Sequence, residues 1–426
     1  MNQKLIYKRD FNVTLTFLAI YFIASSLDIA FIKNPESSEL DVISYLRFTI
    51  FLLFLGRLFF NYSNYSPFIK NNKVFTGLIV FFLLIIISQF FIDLSLKQLQ
   101  GNIKFILFFL AIILSLGHCY FDPENALKTI GNWALFFLIC VLIFYPYLIL
   151  SSGETILQRL LTPNSRYGFF LGHANADAHL IVTTSFLIIF SILYKHSKAF
   201  SFLFVCICIA LIYNGTRAAL ILFILLNLIC FSFLSKRKIF LYFFIFLFLI
   251  IIFIVSPLQK IININFQNEY IFTNVTSVLQ GEHVGGNFSY RVADIWVPIF
   301  DHVVKNSLWF GYGSNGWDVL SSDILGHRIP SHNFFIWSFA NWGLLGVLFF
   351  IVLIIHYLII SFKTLNTKNK SHKKISISIF CSWIGFINWT IFENPFSPQG
   401  FTVLTLLILA TTANKYLHLK SFESKV

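Results

Sequence analysis

Charge is what this chain has least of. Charged residues make up 12% of its 426 positions, against about 25% in an ordinary soluble domain. Acidic residues are the scarcer sign, 18 against 31 Lys plus Arg. The apolar fraction is 57%, and phenylalanine alone supplies 55 positions. Several apolar runs exceed about 18 residues, the length at which a run reads as a membrane-crossing helix. A β-barrel is excluded because its strands would alternate in polarity, which the run 240–254 does not. No small-residue cleavage site follows the first apolar segment, so a retained span is expected there instead of a removed leader. Nucleotide and metal signatures are also lacking. There is no GxxxxGK[ST], and the face that carries the polar loops has no paired carboxylates and no His/Cys cluster, so no cofactor is predicted. The six cysteines show no CxxC spacing and lie in or beside apolar runs, which predicts small packing residues instead of bridges.

What is present is a series of apolar segments. Backbone groups in lipid must be satisfied within the protein, so the fold class expected is an all-α integral membrane protein. Twelve spans are predicted: 14–31, 43–60, 75–92, 105–120, 130–150, 178–194, 200–213, one starting near 217, 239–255, 342–362, 375–392 and 401–414. This divides the chain into 1–256, with spans one to nine and a polar loop at 151–177; a long polar loop at 257–333; and 334–426, with the last three spans. With twelve spans, 19 Lys and Arg fall on the side of the termini in short segments and 10 on the other side in longer ones. Short basic loops mark the cytoplasm, which puts both termini there. The net charge of +13 is then mainly topological, and nucleic acid is not expected as a partner.

On this topology the polar loops face outward and carry Arg166, His173, Arg217, Arg291, Arg328 and His332, and the positive-inside rule disfavours arginines there. Arg217 stands one residue into its span beside Asn214 and Gly215, where a charge needs a partner or water; snorkelling to headgroups is the plainer reading. Arg47 is a similar case one turn inside span two, with Asp28 as an alternative intramembrane partner. Arg57, near the inner end of that span, reads as a snorkelling topology signal. Arg166 lies in Asn164-Ser165-Arg166-Tyr167-Gly168, followed by Gly172-His173-Ala174-Asn175. Glycines beside a cation suit close approach of the backbone to an anion, although a solvated loop would look the same. From Arg291 to Phe300 the apolar spacing predicts an amphipathic helix along the membrane surface. An arginine at its start opposes the helix dipole, so an anionic ligand explains it better than helix stability does, unless it pairs with Asp294. His332 stands where the long loop returns to the apolar phase, beside Asn333, and an imidazole can exchange protons near neutral pH. Glu393, at the end of span eleven, is the notable outward carboxylate; a helix-end turn with Pro395 is its plain reading. Guanidinium forks that converge at a water–lipid boundary match a pyrophosphate.

These segments resemble the O-antigen polymerase/ligase family. That family's pattern is His, then Asn, Ser or Gln, nine residues, and Gly-x-x-Gly; here it stands as His332-Asn333, 334–342 and Gly343-Leu344-Leu345-Gly346. The stretch from Arg291 to Trp296, followed by Asn306-Ser307-Leu308-Trp309-Phe310-Gly311-Tyr312-Gly313, is similar to the family's preceding loop. Thr216-Arg217-Ala218 is similar to its short arginine turn, and 164–175 to its upstream polar loop. The resemblance spans about 160–350 and implies a GT-C-like fold of the bacterial inner membrane. It implies transfer at the periplasmic face of a glycan carried on undecaprenyl pyrophosphate, without metal or nucleotide. The acceptor would be another lipid-linked repeat in a polymerase, or lipid A–core in a ligase. Arg217 and Arg291, with Arg166 and Arg47, would hold the pyrophosphate, and His332 would be the general base. His173, Asn333 and Glu393 would be accessory. A flippase and a chain-length regulator are the protein partners implied. A lipid-linked-sugar flippase is the competing reading, but transporters commonly show two related halves with midplane charges, and no repeat is visible here.

Overall fold

The computed structural model describes residues 3–31, 42–90, 96–151, 174–193, 197–214, 217–234, 291–327, 329, 331–367, 369–395 and 397–423. Among them all regular structure is helical. In order the helices are α1 (Gln3–Phe31), α2 (Val42–Phe60), α3 (Tyr62–Asn71), α4 (Lys73–Phe90), α5 (Leu96–Phe121), α6 (Pro123–Ser151), α7 (Ala174–Leu193), α8 (Ser197–Asn214) and α9 (Arg217–Leu234). A π-helical turn (Arg291–Trp296) then leads into α10 (Val297–Ser307), followed by α11 (Gly316–Leu325), α12 (Phe334–Lys363), α13 (Lys370–Phe392) and α14 (Pro398–Glu423).

Every expected span except the ninth falls on one of these helices; the ninth, 239–255, lies outside the described residues. Among the described residues, four helices are long and apolar enough to cross a membrane: Pro123–Ile143, Phe334–Asn366, Lys370–Phe392 and Gln399–Leu419. A fifth crossing results if Tyr62–Lys70 and Phe75–Gln89, bent by 105°, count as one broken span. The helix α3 was not expected. It places a short amphipathic segment against α5 before the chain turns into α4.

One large apolar cluster joins α1–α9 to α12–α14. Helices α7 and α13 run antiparallel through it, tied where Ser382 Oγ donates to Thr183 O and Ser378 Oγ to Phe186 O. These hydroxyls satisfy themselves on a neighbouring backbone, as polar groups in an apolar bundle must. Gly385 permits the close approach: a Cβ there would stand 3.2 Å from Thr183 Oγ1. The six cysteines are free. Cys230 of α9 and Cys381 of α13 pack with their sulfurs 3.4 Å apart, consistent with a packing role.

Arg57 corrects the sequence reading. It does not simply snorkel: its Nε donates to Asp10 Oδ1 at 2.9 Å, its Nη2 donates to the same oxygen, and the Tyr65 hydroxyl donates to Asp10 Oδ2. Asp10 is buried, so α1, α2 and α3 meet around a compensated charge. The signal was present as an acid in the first helix. Only folding, however, brings it 47 residues along to Arg57.

The expected long loop is substantially helical over its described part. Ile295, Ile299 and Val303 pack with Trp317 and Leu320 of α11 on Phe339 and Ala340 of α12, forming a second, smaller core. The amphipathic helix therefore buries one apolar stripe against protein. A second stripe, Val297, Phe300 and Val304, stays exposed.

Candidate active site

α12 and α13 pack side by side and are joined at their far ends through the turn Thr364–Asn366, so the start of α12 lies beside the end of α13. Asn333 fastens the two. Its Oδ1 caps α12 by accepting from Ile336 N–H at 3.0 Å, and its Nδ2 donates to Ile391 O at 2.9 Å. This is the helix-start chemistry that the sequence pattern encodes.

The residue before this cap is His332. Among the described residues it is the one non-glycine with positive φ, at 50°, a conformation costly for any side chain bearing a Cβ. The twist brings its Nδ1 to 3.1 Å from both carboxylate oxygens of Glu393. Glu393 is buried and His332 partly exposed, their side chains 5% and 16% accessible. An ionised carboxylate only accepts, so the shared hydrogen belongs to Nδ1 and Nε2 is the acceptor nitrogen of the neutral ring. An oriented imidazole backed by a buried acid is an arrangement that can take a proton from a hydroxyl and stabilise the charge it acquires. Glu393 is thus more than the helix-end residue its sequence suggests.

Two indoles hold the segment that leads into His332. Trp296 Nε1 donates to Ser331 O at 2.8 Å, and Trp317 Nε1 to Ile329 O at 2.6 Å. Trp296 ends the π-helical turn that Arg291 opens, so the Arg291 turn is fastened one residue from His332. Arg291 itself is half-buried.

Below the site α12 is broken. Gly343 adopts φ 62°, ψ −160°, and the carbonyls and amides freed there pair with 308–313. Tyr312 N–H donates to Ala340 O at 2.9 Å and Gly313 N–H to Asn341 O at 2.7 Å, while Leu344 N–H donates to Leu308 O at 2.8 Å. Gln89 of α4 adds Nε2 contacts of 3.0 Å to Phe310 O and Asn341 O. A Cβ on Gly343 would fall 2.4 Å from the Trp309 carbonyl carbon, and one on Gly346 2.4 Å from Trp342 Cβ. The Gly-x-x-Gly of the sequence is therefore a hinge: its first glycine makes the break and its second admits Trp342.

Arg217 opens α9. Cys230 of α9 meets Cys381 of α13. At 1.5 Å rise per residue, Arg217 lies about 20 Å from the first along its helix and Glu393 about 18 Å from the second. Arg47 belongs to α2; its side chain, like those of Arg217 and Asp28, lies outside what is described. Arg166, His173 and Arg328 are outside the described residues altogether. Among the described residues no group of three or more His, Cys, Asp or Glu is arranged to hold a metal ion.

The site sequence reasoning missed is His179, five residues into α7. It is 1% exposed, neither ring nitrogen has a hydrogen-bond partner, and its ring lies 6.4 Å from that of Phe392 at 10°. In sequence it is one polar residue in an apolar span. Only the antiparallel packing of α7 on α13 sets it beside Phe392, the residue before Glu393.

With helix as the one regular structure among its described residues, membrane-length apolar helices and a His–Glu pair at a helix mouth, the chain has the features of a helical membrane protein with a candidate proton-transfer site. Residues 202–351 carry a domain of the O-antigen ligase family, which supports the O-antigen polymerase/ligase family for the chain. Members of this family are glycosyltransferase-like enzymes acting in a membrane setting on lipid-linked glycans. The match contains Arg217, Arg291, His332 and Asn333; Glu393 lies beyond it. No curated protein gives a match.

Proposed function

We propose that this protein polymerises undecaprenyl-pyrophosphate-linked repeat units at the periplasmic face of a bacterial inner membrane, with twelve spans in a GT-C-like arrangement and both termini cytoplasmic. The observation that carries this reading is the His332–Glu393 contact in and beside the family-matched stretch. In the reaction proposed, His332 Nε2 accepts the proton of an acceptor hydroxyl. The hydroxyl oxygen attacks the anomeric carbon, and the bond from that carbon to the lipid pyrophosphate breaks. Glu393 stabilises the imidazolium formed, a role worth about 10²–10⁴ in rate for general base catalysis as a whole. Arg291 and Arg217, with Arg166 and Arg47, neutralise charge on the departing pyrophosphate, and no metal or nucleotide takes part. A chain-length regulator and a flippase would act with it.

A second reading, transfer to lipid A–core, is favoured by the family's own description as O-antigen ligase. Glycan profiling of a deletion strain decides between them. Lipid A–core carrying a single repeat supports polymerisation. Bare core with accumulating lipid-linked polymer identifies a ligase, and an unaltered ladder refutes both.

A further inference from the structure

His179 has no role in that scheme; like His118 it is buried with neither ring nitrogen paired, but His179 packs against the residue before Glu393. An imidazole at 1% exposure with neither nitrogen paired leaves desolvated polar atoms uncompensated, which native interiors avoid unless the group is used. Burial is the larger influence on this ring, and Glu393 is near enough to act on it electrostatically. Its ring stacks on Phe392, the residue immediately before that carboxylate. The helix carrying it is held against α13 by Ser378 and Ser382 and by the close contact at Gly385. One buried acid thus has His332 in contact, while His179 stands against the residue just before it.

Resting on the reading of His332 as base and Glu393 as its acid, we propose that His179 is a positioning residue. It donates a ring N–H to the Glu393 carboxylate during turnover and holds that group in register with His332. No proton leaves His179; the ring stays neutral and contributes a hydrogen bond. At rest Nδ1 of His332 is equally distant from both carboxylate oxygens. A ring N–H from His179 on one oxygen would favour His332 on the other and sharpen its orientation.

The test uses the full-length protein in detergent, with labelled lipid-linked repeat extracted from the deletion strain as substrate. His179→Phe keeps a ring against Phe392 and removes both nitrogens; His179→Gln restores an N–H. We expect His179→Phe to lower kcat about tenfold, the worth of one hydrogen bond to a charged group, with KM and melting temperature unchanged. His179→Gln should recover most of that loss. On a Glu393→Gln background, His179→Phe should add no further loss. Wild-type turnover in His179→Phe, an equal loss on both backgrounds, or failure of both variants to fold would overturn the proposal. Normal activity in His332→Ala would instead sink the underlying reading of the site, whatever His179 does.

Discussion

At the level of single residues, strain and burial concentrate on one side chain pair. His332 accepts a left-handed backbone that most residues avoid, and in return its ring meets Glu393 while the next residue caps α12. Glu393→Gln keeps the shape and removes the charge. We expect synthesis of the glycan ladder to fall about 100-fold or more with normal membrane levels, and a ladder of ordinary intensity would refute the pairing's importance. Arg217→Lys should weaken pyrophosphate capture, since an ammonium cannot reproduce bidentate contact. The predicted loss is about 10- to 100-fold in kcat/KM, measured with the same lipid-linked substrate.

At the level of elements, the break in α12 shows how a short motif acquires physical meaning. Gly343→Ala would add the cost of a backbone conformation essentially confined to glycine, about 1–3 kcal/mol, to a backbone clash. The expected result is a lower melting temperature in detergent and loss of activity together. The helices themselves were legible in advance, because apolar runs bounded by charge are local features: α13 over Lys370–Phe392 begins and ends within a few residues of expectation. Asn333 and Gly343 stood in the chain only as members of a resembling motif; their roles as cap and break came with the fold. Nor were the partners legible. Nothing near His332 points to an acid 61 residues later, and nothing near Gly343 points to Leu308, Tyr312 or Gly313 as the backbone that repairs the break. The surface helix was half legible: its periodicity gives an apolar face, while only the fold divides it into a stripe packed on Phe339 and an exposed one.

For the whole molecule, the amino-terminal helices are locked by a charge cluster remote from the site. Asp10 receives both Arg57 and Tyr65. Removing one partner of a buried pair costs about 3–5 kcal/mol, and Arg57 is about a third exposed, so Asp10→Asn should fall at the lower end of that range. A fall in melting temperature with kcat per folded molecule preserved is expected; unchanged melting would show the cluster to be dispensable. Site and scaffold would then be separately damaged by separate substitutions.

The pairing of 308–313 with the opened turn of α12 also limits how this chain can vary. Four amide–carbonyl links fix those two stretches residue against residue, so one codon inserted or lost between Leu308 and Leu345 would slide the whole seam out of step. Relatives should differ freely in the lengths of the segments before Arg291, and hardly at all across this splice.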